Sequence, residues 1–309
     1  MVREESGKIV KGLGGLYEIR LNSGERVCCR ARGNLHRDEE KLLIGDNVLV
    51  RLDTEIPDSM VIESLYERKN SLIRPPLANL DYLFITFASR KPTPVLETVD
   101  KLLSIAEHNN IKAVIVITKS DVGEKEAEKY KEIYEKSGYP VFITSSENKN
   151  GIDELLSYIN NNISNGALAA FAGASGVGKS TLMNSLFPNL SLETKEISRK
   201  IERGRHTTRH VEIFPLSEEE GAGFLADTPG FSLIDFSRFD FFDREELEAA
   251  FPDIYRYKGK CRYQDCAHVG EGKDECAVAA AEANGEIAPT RLESYRAIYN
   301  VLRKKTKYD

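Results

Sequence analysis

The spacing of apolar residues changes twice along the 309-residue chain, and each change marks a different architecture. Up to about residue 66, short apolar stretches are cut by turn formers: Gly12 to Gly15, Asn22-Ser23-Gly24, Arg32-Gly33-Asn34 and Gly45-Asp46-Asn47. Between them residues 16–21, 25–30 and 47–52 read as strands. Many short strands at close spacing predict a small β-barrel, either OB-like or SH3-like. Cys28 and Cys29 are adjacent in one such strand, so only one of them faces the core.

From Asp81 the rhythm becomes alternating strand and helix. Residues 81–88 read as a strand, and 111–118 is a near-continuous apolar run of the kind buried on both faces of a parallel sheet. Residues 94–109 carry apolar positions 95, 99, 102, 103 and 106, a helical stripe. A charged helix at 124–137 closed by Gly138, a strand at 140–144 and a helix at 152–163 follow. Then come a strand at 167–172, a helix at 179–187 and strands at 210–214 and 222–226. This pattern predicts an open α/β sheet with its ligand loops at the strand C-terminal ends. Beyond about residue 235 the chain turns helical, at 243–251, 275–283 and 290–305, around a cysteine-rich segment. The division expected is 1–66, 67–235 and 236–309.

The loop joining the strand at 167–172 to its helix reads Gly173-Ala174-Ser175-Gly176-Val177-Gly178-Lys179-Ser180, a complete phosphate-binding loop. Glycines let successive N–H groups face the phosphates, Lys179 reaches the β/γ-phosphates, and Ser180 offers a hydroxyl to Mg²⁺. The helix N-terminus behind it favours an anion. A chance glycine turn would lack this strand and helix in register.

Thr118-Lys119-Ser120-Asp121 follows the strand at 111–118, where a base-reading loop belongs. Asp121 can accept from guanine N1–H and its exocyclic amine, which adenine cannot offer, and the Lys119 stem can cover the base. As an isolated tetrapeptide it would read as a solvated turn; its place on the sheet favours guanine. Thr118 stands where Asn is usual, and a hydroxyl makes fewer hydrogen bonds than an amide, so lower affinity with retained specificity is expected. Ser145 and Ser146 could brace the base edge, a weak signal because serine pairs are common in turns. Asp227-Thr228-Pro229-Gly230 ends a further strand: Asp227 would hold Mg²⁺ through water and the Gly230 N–H would meet the γ-phosphate. Phe231 follows, and a phenyl ring cannot position water. The polar catalytic group is therefore expected in Gly204-Arg205-His206-Thr207-Thr208-Arg209-His210. There His206 would orient water, Thr207 or Thr208 would ligate Mg²⁺, and Arg205 or Arg209 would meet developing charge. The GTP-binding set expected is Thr118–Asp121, Ser145, Ser146, Gly173–Ser180, Thr181, Asp227 and Gly230, with Mg²⁺ on Ser180, Thr208 and Asp227. The base-reading motif precedes the phosphate loop by more than fifty residues, the reverse of the Ras-like order. A circularly permuted GTPase follows.

Cys261, Cys266, His268 and Cys276, spaced C-x4-C-x-H-x7-C, offer three thiolates and an imidazole. That composition suits a closed, structural zinc site with no open catalytic position. Net charge is −6, so RNA contact would have to come from local patches. One such patch, Lys195 to His210, carries six Lys/Arg against two Glu. The polar N-terminus and the lack of a long apolar run predict a cytoplasmic protein with no membrane contact.

Taken together these motifs resemble the RsgA (YjeQ) family of circularly permuted GTPases. The resemblance spans essentially the whole chain, through Arg32-Gly33, Gly45-Asp46, Arg74-Pro75, Asn79, Asp81, Gly-Arg-His-Thr-Thr and the cysteine segment. It implies a multidomain fold: an N-terminal OB-like β-barrel, a central circularly permuted α/β P-loop GTPase domain and a C-terminal helical zinc-binding domain. It further implies a monomeric GTPase that contacts rRNA, is stimulated by the small ribosomal subunit and assists its late maturation. The histidine matching His206 is proposed in that family to help hydrolysis. A GTP-gated RNA-binding scaffold, with hydrolysis only a slow timer, is the alternative. A P-loop kinase is disfavoured by Asp121 and by the lack of an evident lid.

Overall fold

The computed structural model describes residues 2–32, 41–53, 60–188, 211–217, 219, 221–227, 236, 238 and 240–305. They gather into two compact units: Met1–Tyr82 with Leu156–Phe171 and Leu186–Phe231, and Leu83–Leu155 with Ala172–Ser185 and Ser232–Asp309.

Five strands close a barrel: β1 (Val2–Leu13), β2 (Leu16–Leu21), β3 (Arg26–Ala31), β4 (Asn47–Asp53) and β5 (Val61–Leu65), in the order β1-β2-β3-β5-β4. β3 pairs parallel with β5 and every other pairing is antiparallel, a Greek-key path that fits the OB-like expectation. The apolar pattern hides β1, whose five charges at residues 3, 4, 5, 8 and 11 read as surface. It forms because its first half pairs with β4 and its second with β2. A register shift falls between Ile9 and Lys11, and Ile9 and Val10 are both buried. Ile9, Ile19, Val27, Cys29, Val48, Val50 and Ile62 fill the interior. Cys28 is exposed and Cys29 buried, as alternation requires, and burial pushes the Cys29 thiol up to about 12.

The residues after the barrel latch backbone segments together. β6 (Ser71–Leu72) and β7 (Leu77–Ala78) make a small hairpin. Asn79 then accepts from Lys69 N at 2.9 Å and donates to Gly45 O at 3.1 Å. Gly45 has φ +88°, and a Cβ there would lie 2.2 Å from Ala78 O, so only glycine fits. Buried Asp46 accepts from Arg68 Nε at 2.7 Å and Nη2 at 2.8 Å, and from Leu43 N at 2.7 Å. Asp81 accepts from Leu168 N at 2.9 Å.

The six-stranded sheet contains β8 (Tyr82–Ala88), β9 (Lys112–Thr118), β10 (Val141–Ile143), β11 (Leu168–Ala172), β12 (Glu212–Pro215) and β13 (Phe224–Asp227), in the order β10-β9-β8-β11-β13-β12. β10 is parallel to β9 and β11 to β13, while β12 is antiparallel to β13. All seven residues of β8 are buried, apolar but for Thr86, as befits a central strand of the sheet. Helices α1 (Leu96–His108), α2 (Glu124–Lys136), α3 (Ile152–Asn162) and α4 (Lys179–Leu186) follow the strands as expected. Val95, expected on the buried stripe, is instead the N-cap of α1 and 64% exposed.

The expected helix at 243–251 is corrected by the structure. A capping box of Asp243 and Glu246 starts a turn, but only the 3-10 helix Arg244–Glu246 forms. Bonds from Leu247 N to Arg244 O and from Phe251 N to Glu248 O keep the next residues in tight turns. Pro252 then holds Phe251 out of the helical region, at φ −126° and ψ 86°, and opens the separate α5 (Pro252–Tyr255). Helices α6 (Ala277–Ala283) and α7 (Pro289–Lys304) complete the chain.

A buried ion triad fastens α7 to α1 and α5. Arg291 donates to Asp100 Oδ1 on α1 at 2.7 Å, and to both carboxylate oxygens of Asp253 on α5 at 2.7 and 2.9 Å. Ser137 Oγ adds a bond to Asp253 at 3.0 Å. Burial alone would raise the Asp253 carboxyl, but the Arg291 guanidinium outweighs it and holds the group below its ordinary value.

Candidate functional site

Three loops leave the C-terminal ends of β9, β10 and β11. Gly173 opens the loop after β11 with φ +142°, and a Cβ there would fall 2.0 Å from Thr86 O. No other residue lets the loop pass so close to β8. Ala174, Ser175 and Gly176 are exposed, Val177 is buried, and Ser180 presents its hydroxyl on the exposed first turn of α4. Lys179 Nζ lies across the loop, donating to Gly173 O at 2.6 Å and Ala174 O at 2.9 Å. Thr181 is exposed on the same helix.

The loop after β9 is tied to the loop after β11 by its first two side chains. The buried Thr118 hydroxyl donates to Val177 O at 2.6 Å, with Phe87 O also near at 3.2 Å. Lys119, in the left-handed region at φ +57°, donates to Gly176 O at 2.8 Å and Lys91 O at 2.9 Å. Ser89 Oγ in turn donates to Lys119 O at 2.7 Å, which fixes that strained turn. Ser120 N bonds Thr144 O at 3.1 Å, joining the loops after β9 and β10. Asp121 is exposed and accepts from the buried Ser145 Oγ at 2.5 Å; Ser146 is half-buried beside it. The structure thus brings together Thr118–Asp121, Ser145, Ser146 and the 173–181 segment, which are separated by up to 63 positions.

Asp227 closes β13, one residue beyond Ala226, which pairs with Ala170 of β11. Gly230, Phe231, Arg205, His206, Thr207, Thr208 and Arg209 lie outside the described residues. The ties made by Thr118 and Lys119 were missed from sequence. Their partners are backbone carbonyls 57 and 59 positions away, and no local signal marks them.

A second constellation lies in the C-terminal region. Cys261 Sγ, Cys266 Sγ, His268 Nδ1 and Cys276 Sγ all lie within 4.8 Å of one another. His268 Nδ1 is 3.6, 3.5 and 3.3 Å from the three sulfurs, and Cys261 and Cys276 are 3.9 Å apart. Metal–sulfur bonds of about 2.3 Å and a metal–nitrogen bond of about 2.0 Å give tetrahedral edges of roughly 3.5–3.8 Å. The donor set therefore fits one tetrahedral ion. His268 Nε2 faces Glu248 Oε1 at 3.4 Å, a carboxylate placed to orient the ring. Ala277 N and Ala279 N donate to the Cys261 and Cys276 sulfurs at 3.3 and 3.4 Å. Burial pushes the Cys266 thiol up to about 12, so a cation is what makes the thiolate form favourable.

The RsgA GTPase family model matches residues 65–237, and that of the RsgA N-terminal domain matches residues 6–56. The chain belongs to the RsgA GTPase family. A relative named small ribosomal subunit biogenesis GTPase RsgA, from Alkaliphilus metalliredigens, is 37% identical over 98% of this chain and 99% of its own. One of the same name from Carboxydothermus hydrogenoformans is 42% identical over 94% of each. The crystal structure of YjeQ from Thermotoga maritima superposes with a TM-score of 0.78 at 32% identity, covering 98% of this chain and 100% of that one. YloQ, described as a circularly permuted GTPase, gives 0.77 at 30%, covering 99% and 98%. In this chain the Thr118–Asp121 segment precedes the glycine-rich loop at 173–180. Among the described residues no helix is long and apolar enough to cross a membrane.

Proposed function

We propose that this family member hydrolyses GTP at the loops following β9, β10 and β11, and that the small ribosomal subunit and its rRNA stimulate turnover during late maturation. The observation that carries the reading is the pair of bonds from Thr118 and Lys119 to Val177 O and Gly176 O. They hold the base-reading loop and the phosphate loop as one platform, which suits a guanosine nucleotide spanning both. The names borne by its relatives support the ribosomal part.

In this reading Asp121 accepts from guanine N1–H and the exocyclic amine, oriented by Ser145, while the Lys119 stem covers the base. Ser146 borders the base edge. The backbone N–H groups of 173–181 cradle the phosphates, and Lys179 swings from its own loop carbonyls to the β/γ-phosphates. Mg²⁺ would be held by the exposed Ser180 hydroxyl, by Thr208 and, through water, by Asp227, and would supply neutralisation of phosphate charge. These are hard oxygen donors, as that ion requires. The Gly230 N–H meets the γ-phosphate and His206 orients the attacking water. The four C-terminal donors hold one structural zinc. The functional parts are 1–66, 67–235 and 236–309, acting as a monomer in the cytoplasm.

Phosphate release from GTP, measured with and without purified small subunits, tests this reading. Strong acceleration by the subunit is expected. A rate indifferent to subunits would leave a GTP-gated scaffold, and equal affinity for ATP and GTP would remove the guanine assignment.

A further inference from the structure

Lys8 on β1 stands directly opposite Arg20 on β2 and Asn47 on β4 in the strand register of the barrel. Residues opposite one another share a face, and here it is the outer one, because the neighbouring Ile9 and Ile19 fill the interior. Yet Lys8 and Arg20 are only 7% and 6% exposed. Like charges directly opposite destabilise a sheet, and burial removes the water that would soften their repulsion. A cation pair in that position calls for an anion.

Lys8 has none in contact with it among the described residues. Its ammonium donates to Asn47 Oδ1 at 2.9 Å and to Gly45 O at 3.5 Å, and lies 5.8 Å from the Phe224 ring centroid. Among those residues it makes no ion pair, and its third N–H meets no acceptor. Burial pushes the ammonium down to about 8; the charges of Asp81 and Asp46 oppose the fall and that of Lys69 adds to it.

These side chains line a cavity of about 390 Å³, within the size range of small-molecule sites. Lys8, Arg20 and Lys69 bring three positive charges to its wall and Glu219 one negative. Asn22, Asn47 and Asn165 add amides, and Phe224 adds an aromatic ring. All of these residues belong to the first compact unit. Asn165 precedes β11 and Phe224 opens β13, so the cavity lies at the N-terminal ends of those strands. No residue of the loops assigned to GTP lines it. We propose that this cavity binds a small phosphomonoester, with the terminal phosphate between Lys8 and Arg20, Lys69 at the mouth, and the organic part against Phe224 and the amides. Such a phosphate carries close to two negative charges at neutral pH, which match two buried cations, and a guanidinium fork suits its oxygens. A phosphodiester inside an RNA chain carries one charge and has chain on both sides, so it fits a buried pair poorly.

The test is calorimetric titration of the full-length protein holding one equivalent of GDP and Mg²⁺, which keeps the phosphate loop occupied. The probes are adenosine monophosphate and ribose 5-phosphate, each against its neutral counterpart, adenosine or ribose, and a short RNA with hydroxyl ends. Each monophosphate is expected to bind at one equivalent, at least about tenfold tighter than its neutral counterpart. Lys8→Met should weaken both by at least about tenfold, and the solvent-facing Lys69→Ala by about threefold. GDP affinity should be the same in both variants as in the wild type. Lys8→Met should also raise the thermal midpoint of the protein free of monophosphate, because it removes a buried cation facing another; a purely structural lysine would lower it. Should Lys8→Met melt below the wild type, Lys69→Ala decides, and unchanged monophosphate affinity there overturns the proposal. Monophosphates that bind no tighter than the neutral compounds, or that bind a well-folded Lys8→Met unchanged, also overturn it. Tighter binding of the hydroxyl-ended RNA than of either monophosphate, lost in Lys8→Met, overturns it in favour of an RNA chain.

Discussion

Thr118 makes a tie that its residue type alone does not reveal. A hydroxyl in place of an amide suggests weaker nucleotide binding, yet here it donates to Val177 O at 2.6 Å from a buried position. Thr118→Val keeps the shape and removes the donor, leaving a buried carbonyl unpaired at a cost of about 1–3 kcal/mol. GTP and GDP affinity should both fall, while Thr118→Ser should retain most of it; equilibrium titration with a fluorescent guanine nucleotide reads both. Asp121→Asn tests a different property. It removes the paired acceptor for guanine and supplies a donor suited to xanthine, so GTP affinity should drop by about 2 kcal/mol or more while XTP affinity rises. Competition titrations with the two nucleotides measure that exchange.

At the scale of elements, the C-terminal helices are held by two unlike devices. The Cys261, Cys266, His268 and Cys276 cluster, which could hold a metal ion, gathers turns that form no helix or strand before α6. Zinc should appear at one equivalent by elemental analysis. A strong chelator should unfold this region, seen as loss of hydrogen-exchange protection around α6, while GTP binding persists. The Arg291 triad is the other device. Its three members come from α1, α5 and α7, and all are buried. Arg291→Ala would strand two buried carboxylates, a loss of about 3–5 kcal/mol in denaturant unfolding. Arg291→Lys should rescue little, because an ammonium cannot reproduce the bidentate bonds to Asp253.

At the scale of the whole molecule, the proposed reading draws turnover from groups outside the loops after β9, β10 and β11. In that reading Phe231 stands where a Ras-like protein has its water-positioning glutamine, and His206 is the substitute. Single-turnover hydrolysis of pre-bound GTP with small subunits present separates binding from chemistry. Lys179→Ala should weaken binding and abolish turnover, since the lysine acts on the ground-state phosphates. His206→Ala should bind nearly normally and turn over slowly, because orienting water matters chiefly in the transition state. An unaffected His206→Ala rate would move that role to Arg205, Arg209 or a group on the subunit.

What was legible in the sequence were features whose cause is local. The glycine spacing of 173–178, the apolar run of β9, the Cys28/Cys29 alternation and the four clustered donors each follow from backbone freedom, strand period or ligand chemistry within a short window. So did the permuted order of motifs, which is a fact of sequence alone. The tertiary structure decided what depends on distant partners. It drew the charged β1 into the barrel by pairing it on both edges, and stopped the predicted helix at 243–251 with tight turns and Pro252. It also joined Arg291 to Asp100, 191 positions away, and Thr118 to the phosphate loop. Periodicity reports which face of an element is apolar. Which carbonyl or carboxylate meets a given donor depends on how the elements pack, and no window of sequence contains that.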